Sequence, residues 1–248
     1  WNTAKEEMDF LLEAKHMDRF AELNSGISYI TYPKVYHDLT TKHVLVMERI
    51  HGIPVDKMDK LKELGYDMNE IGQKLAENFV KQILDDAFFH ADPHPGNIWI
   101  MDGKIAWLDF GMMGKLTGRD KELFRSAVTA IVNNDIYQLK NVFLTLGTAK
   151  QPIDHALLYT DVDEMVSRYG NLELGNMNLG VVFQEFMHVA NKHHILLPQS
   201  VTMLGRGVMT IEGVLRFCAP DINLLQILAT HMSNEFFRNL DWNKELKR

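Results

Sequence analysis

The sequence predicts an α+β chain: a small mixed region up to about residue 50, then a largely helical region that carries one β-hairpin. Three observations lead there. Apolar residues recur at helical spacing over most of the chain after Gly118. Two runs rich in β-branched and aromatic residues, Tyr29 to Tyr36 and Val44 to Ile50, read as adjacent strands. One Asp-Gly pair, Asp102-Gly103, sits between two short apolar segments and is the strongest hairpin signal present. With 248 residues, 46% of them hydrophobic, the chain can bury a substantial core, and only 16 Gly and 7 Pro leave little room for long structureless linkers.

Taken in order, Thr3 and Glu6 have the spacing of a capping box, and Met8, Leu11, Leu12, Phe20 and Leu23 continue at helical spacing to the Asn24-Ser25-Gly26 stop. The two strands follow, separated by the polar stretch His37 to His43, and His51 to Pro54 reads as a chain-breaking turn. Asp67 with Glu70 offers a second cap, ahead of a stripe of Ile71, Leu75, Phe79, Ile83, Leu84 and Ala87. The hairpin joins Asn97 to Met101 with Lys104 to Leu108. Beyond Gly118, helices are expected near 119–133, 135–146, 153–169, 178–194, 198–217 and 221–239.

Composition removes several classes of function. A net charge of −7 argues against a polyanion surface, which needs clustered Lys and Arg, so no nucleic-acid partner is expected. The single cysteine, Cys218, excludes an internal disulfide framework and fits a reducing compartment. No window approaches the roughly 18 uninterrupted apolar residues of a membrane span. The chain therefore reads as cytoplasmic.

The densest polar cluster surrounds the hairpin: His90-Ala91-Asp92-Pro93-His94-Pro95-Gly96-Asn97 before it and Leu108-Asp109-Phe110-Gly111 after it. Asp92 and Asn97 are five residues apart, the separation of Asp and Asn in a kinase catalytic loop, and a hairpin should bring Asn97 beside Asp109. An amide oxygen and a carboxylate converging there, with a second carboxylate near, make a hard-oxygen site suited to Mg²⁺ carrying the phosphates of ATP or ADP. Phosphoryl transfer needs charge neutralisation and alignment more than covalent help. Asp109 and Asn97 would then hold metal, and Asp92 would take the proton of the attacking hydroxyl or water. Two other readings stand beside this one. The same residues could be turn formers and caps, and His90, Asp92 and His94, alternating along an extended segment, could be the ligands of a metal-dependent hydrolase.

These residues resemble the UbiB/AarF/ADCK family of atypical, protein-kinase-like proteins. The resemblance rests on HADPHPGNIWI (His90 to Ile100), LDFGMMG (Leu108 to Gly114), EEMDFLLEA (Glu6 to Ala14), HVLVMERIHG (His43 to Gly52) and LGRGVMTIEGVLRFCAP (Leu204 to Pro220), which together span nearly the whole chain. It implies a protein-kinase-like fold, with a partial N-lobe of helix C and two strands over residues 1–50 and a helical C-lobe with family-specific helices over 51–248. It implies that Glu13 is the helix-C glutamate, that Glu7 and Asp9 form a Glu-x-Asp pair beside the nucleotide, and that Met47 is the gatekeeper. Glu48 to Ile50 would be the hinge, with Glu48 and Ile50 contacting adenine. The family's phosphate loop and strand lysine precede helix C, and Lys5, on the helix of Glu13, cannot replace that lysine. Glu13 is therefore expected to lack its partner, the chain to be cut from something longer at both ends, and catalysis to belong to the longer protein. The implied role is an ATPase or small-molecule or lipid kinase in isoprenoid-quinone (ubiquinone-type) biosynthesis, at the inner face of the membrane, with an isoprenoid lipid or quinone-biosynthesis proteins as partners. A reading from another class stays open: a nucleotide-sensing pseudokinase scaffold that regulates a lipid-biosynthetic complex.

Other features read blandly. No Ala-Pro-Glu motif follows Gly111, and Thr117 is the one hydroxyl residue before Ser126, so a phosphorylated activation loop is poorly supported. Gly205-Arg206-Gly207 lacks a third glycine and reads as close helix packing. His188, His193 and His194 sit near a helix end, where cations offset the dipole. The apolar faces of 178–194 and 221–239 are core more readily than docking surfaces.

Overall fold

The computed structural model describes residues 9–169 and 174–245, with side chains over 9–169 and 175–234. The chain is α+β and divides into two compact units, one of Trp1–Lys115 with Arg206–Ile222 and one of Leu116–Gly205 with Asn223–Arg248.

In the first unit α1 runs over Phe10–Asn24, with Asp9 as its N-cap accepting from the Leu11 N–H at 3.2 Å. The Thr3–Glu6 box lies outside the described residues. α1 buries Ala14, Met17, Phe20 and Asn24, three or four residues apart, which places them on one face. β1, Ile30–Thr31, is all that becomes strand in the first β-rich run. Its partner is a strand from the hairpin, in parallel, and the two β-rich runs touch each other only through an isolated Val35–Met47 bridge and the bonds around it. The expected chain-breaking turn at His51–Pro54 instead ends in a short edge strand, β2 (Ile53–Pro54). Proline is tolerated there because an edge leaves its missing N–H unneeded.

α2 (Met58–Glu63) is a turn and a half anchored by the buried Leu61, and α3 (Met68–Leu84) begins at Asp67, which accepts from the Asn69 and Glu70 N–H groups. Ile71, Leu75, Phe79 and Ile83 form the buried stripe of α3. β3 (Phe88–His90) leads into the polar loop, then β4 (Ile98–Met101) and β5 (Lys104–Trp107) make the hairpin. Asp102 and Gly103 take positive φ values of 50° and 75°, as a two-residue hairpin turn demands. The sheet order is β1-β5-β4-β2. β6 (Met113–Lys115) pairs antiparallel with β3, so the polar cluster is closed at its base by a second small ladder.

The second unit holds α4 (Gly118–Val132), α5 (Ile136–Leu146), β7 (Thr148–Ala149), α6 (His155–Tyr169), α7 (Leu179–Lys192) and β8 (Ile195–Leu196). α8 (Gln199–Cys218) contributes its first residues here and its part from Arg206 to the first unit, and α9 spans Leu224–Glu245. Thr117 and Asp120 form a complete capping box on α4. The apolar face of α7, with Val182, Phe183, Phe186 and Val189 buried, is core. His193 closes α7, and its Nε2 is hydrogen-bonded to Asp161 Oδ2 at 2.7 Å.

Candidate functional site: a polar cleft around the hairpin

Ala91, Asp92, His94, Gly96 and Asn97 in the loop between β3 and β4 are all tied down by hydrogen bonds. The Asn97 carbonyl accepts from the Leu108 N–H at 2.9 Å, which carries the hairpin ladder one step further and sets Asn97 against the start of the Asp109 turn. The Asn97 amide nitrogen donates to the Asp92 carbonyl at 3.2 Å. That bond fixes the amide orientation and leaves Asn97 Oδ1 as an acceptor. Asp109 adopts φ 55°, a left-handed conformation that Asp accepts more readily than most residues when its carboxylate bonds locally. Here Asp109 Oδ1 takes the Gly111 N–H at 3.2 Å. A Cβ on Gly111 would stand 3.3 Å from that oxygen and 3.8 Å from Glu13 Oε2, so glycine keeps the space beside both carboxylates open.

His90 is the keystone of the loop and is fully buried. Its Nδ1 accepts from the Asp92 N–H at 3.2 Å, so its proton sits on Nε2, which donates to the Leu108 carbonyl at 3.0 Å. Burial pushes its pKa down, more than the Leu108 bond and the charges of Asp109 and Asp92 raise it, and the ring is neutral. A further series of buried amides reaches it from the helices. Asn78 donates to Asn24 at 2.8 Å, Gln82 donates to Asn78 at 2.9 Å, and Gln82 Oε1 accepts the His90 N–H at 3.0 Å. The metal-hydrolase reading fails on this geometry, because both ring nitrogens of His90 are spent within the protein. His94 likewise spends Nδ1 on the Gly96 N–H at 3.1 Å, with its ring held over Gly96.

Asp92, Asn97 and Asp109 line one cleft of about 710 Å³, with Phe10, Glu13, Leu45, Met47 and Arg206 among the other walls. That volume is the size of a small-molecule site. Glu13 Oε1 accepts the Phe110 N–H at 3.1 Å, joining α1 to the Asp109-Phe110-Gly111 turn. Burial and the nearby Asp109 charge raise the Glu13 pKa against the lowering effect of that bond. Phe110, fully buried, is also held by His16, whose Nδ1 lies 2.9 Å from the Phe110 carbonyl.

Not every sequence candidate reaches the cleft. Asp9 caps α1, Glu7 lies outside the described residues, and Glu48 and Ile50 sit beyond the wall that ends at Met47. The Glu48 N–H is committed to the Lys34 carbonyl at 2.7 Å. One cleft residue escaped the sequence reading. Arg206 Nη2 donates to Asp92 Oδ2 at 3.0 Å, although the glycines on either side of it do serve close packing. Its only signal was the Gly-Arg-Gly run.

The donor set suits a hard divalent cation: a carboxylate at Asp109 and an amide oxygen at Asn97, both hard oxygen ligands. Among the described residues no group of three or more His, Cys, Asp or Glu is arranged to hold a metal alone. Mg²⁺ shared with phosphate oxygens and water has the same requirement of few protein ligands.

With this geometry in hand, comparison with known proteins places the chain. The model of the ABC1 atypical kinase-like domain matches residues 2–143 and that of the UbiB helical domain residues 162–223. The chain belongs to the ABC1 atypical kinase-like family, with a partial kinase-like fold. Among its relatives, an uncharacterised protein from the hydrogenase 1 5′ region of Clostridium pasteurianum is 32% identical over 97% of this chain and 46% of its own length. The chloroplast protein ACTIVITY OF BC1 COMPLEX KINASE 1 of Arabidopsis thaliana is 30% identical over 90% of this chain and 33% of its own length. The chain thus spans about a third to a half of these curated relatives. The solved structure of Rv3197 with erythromycin, from Mycobacterium tuberculosis, shares the fold with a TM-score of 0.60 at 18% identity, covering 90% of this chain and 57% of that one. Among the described residues no helix is long and apolar enough to cross a membrane.

Proposed function

We propose that the cleft binds the phosphates of ATP or ADP with Mg²⁺ and serves phosphoryl transfer, as an ATPase or as a small-molecule or lipid kinase. The observation that carries this reading is the meeting of Asp92, Asn97 and Asp109 in one cleft, with the loop of Asp92 and Asn97 tied by hydrogen bonds to the turn that carries Asp109. Asp109 and Asn97 are the residues that would hold Mg²⁺, which when bound neutralises phosphate charge. Asp92 accepts a hydrogen bond from the attacking hydroxyl or water and takes its proton. Glu13 steadies the turn that carries Asp109 through the Phe110 N–H. Leu45 and Met47 supply the apolar wall for a purine, the gatekeeper place that the family resemblance gives Met47. The family resemblance extends the proposal to isoprenoid-quinone biosynthesis near a membrane face, with the acceptor drawn from that chemistry.

The test is Mg²⁺-dependent phosphate release by the protein that carries this chain, before and after Asp109→Asn. Loss of release in the variant supports the enzyme; equal release from both removes it. The scaffold reading places nucleotide in the same cleft without phosphoryl transfer. Nucleotide binding without turnover in that assay would favour it.

A further inference from the structure

We propose that Arg206 is the positioning residue of Asp92: it acts on turnover only by holding the Asp92 carboxylate at the angle from which it meets the acceptor. The inference rests on the phosphoryl-transfer reading above and adds a residue to it. The hydrogen bonds of Asp92 divide between its backbone and its carboxylate. Its N–H goes to His90, and its carbonyl accepts from Asn97 Nδ2 and from the His94 N–H at 2.8 Å. All of these fix the backbone. The carboxylate itself is gripped by Arg206, Nη2 to Oδ2 at 3.0 Å, from a residue 114 positions away.

The part of α8 that bears Arg206 is itself placed with little tolerance. A Cβ on Gly207 would lie 3.0 Å from the His90 carbonyl oxygen, 3.3 Å from Phe79 Cζ and 3.5 Å from Ala91 Cα. The helix backbone is therefore pressed onto the loop backbone one residue from the arginine, and the height of Arg206 above Asp92 is set by that contact. Asp92 Oδ2 is occupied, which leaves Oδ1 for the acceptor. Among the described residues lining the cleft Arg206 is the one cation, against Glu13, Asp92 and Asp109. The side chains of the pair are half and one-quarter exposed, so an ion pair of this kind contributes little to stability and its value lies in direction.

The test compares wild type, Arg206→Ala, Arg206→Lys, Asp92→Asn and the Arg206→Ala/Asp92→Asn double variant of the protein that carries this chain. Two readouts are needed: the dissociation constant of Mg-ADP and the kcat and KM of Mg²⁺-dependent phosphate release, with folding checked by circular dichroism. Arg206→Ala should bind Mg-ADP within about twofold of wild type, while kcat falls roughly 10- to 100-fold, the cost of a misplaced reacting group. Arg206→Lys, which keeps a cation at the same place, should recover part of that loss. In the Asp92→Asn background Arg206→Ala should change kcat by less than about twofold, because it has nothing left to aim. An equal fall in both backgrounds, or no fall from Arg206→Ala, overturns the proposal. Wild type that binds Mg-ADP but never turns over also overturns it, while leaving the nucleotide site standing; absence of Mg-ADP binding in wild type instead removes the functional reading on which it rests.

Discussion

The cleft of the first unit and the helix contacts of the second are held by different forces. In the first, the cleft is framed by buried and part-buried polar bonds that each specify one direction: Gln82 to His90, His90 to Leu108, Glu13 to Phe110, Asn97 to Asp92. In the second, α4 to α7 are joined mainly by apolar side chains, with Phe143 stacked on Phe186 at 4.1 Å and Phe183 close by. Apolar contact is non-directional and scales with area, whereas a buried hydrogen bond is costly to leave unmade and therefore fixes geometry. The polar bonds fix the direction of the cleft residues; the aromatic contacts of the second unit give cohesion without direction.

The largest effect that would separate the two is Phe143→Ala. Phe143 is fully buried, and its truncation should cost about 3–5 kcal/mol in chemical denaturation, while the fraction still folded binds Mg-ADP as wild type does. A parallel loss of affinity would break the division. Gln82→Leu is the matching change in the first unit. It strands the His90 N–H and the Asn78 oxygen, with an expected cost of about 1–3 kcal/mol and, unlike Phe143→Ala, weakened nucleotide binding in the folded fraction.

Smaller effects come from pH. His90 is buried neutral, with its pKa below the ordinary 6.5, so below that value the unfolded chain takes up a proton the folded one refuses. Stability contributed by His90 is present above about pH 6.5 and is lost as the pH falls, so His90→Gln should flatten the decline between pH 7 and 5 in urea titrations. Glu13 runs the other way. Its folded pKa is raised above 4.5, so its contribution is greatest below that value and is lost as the pH rises through the folded pKa. Glu13→Gln, which keeps an oxygen for the Phe110 N–H, should raise the thermal midpoint slightly at pH 7, with the gain vanishing towards pH 4. No gain at pH 7 would mean that the Glu13 and Asp109 carboxylates do not strain the site.

Much of the architecture could be read from local chemistry. The Asp102-Gly103 turn, the Asp67 cap and the helices after Gly118 are specified within a few residues of themselves, and their ends fall close to expectation. Pairings across long separations could not be read that way. β3 and β6 are three residues each, too short for any period to show, and β1 takes its partner from the hairpin rather than from the neighbouring β-rich run. The site divides likewise. Asp92, Asn97 and Asp109 are joined by fixed spacings along the chain and stood out as a group. The spent nitrogens of His90, which dispose of the hydrolase reading, depend on what surrounds the ring. Arg206 meets Asp92 only through the fold, and a lone arginine between glycines gives no sign of it.

The central claim, that this cleft takes Mg-nucleotide through Asp109 and Asn97, is met most directly by the thermal midpoint of the chain with and without Mg-ADP, repeated in EDTA and with Asp109→Asn. A ligand that binds only the folded state must raise the midpoint. The account predicts a rise that disappears both in EDTA and in the variant. No rise in the wild-type chain, or an equal rise when Asp109 is replaced, would contradict it.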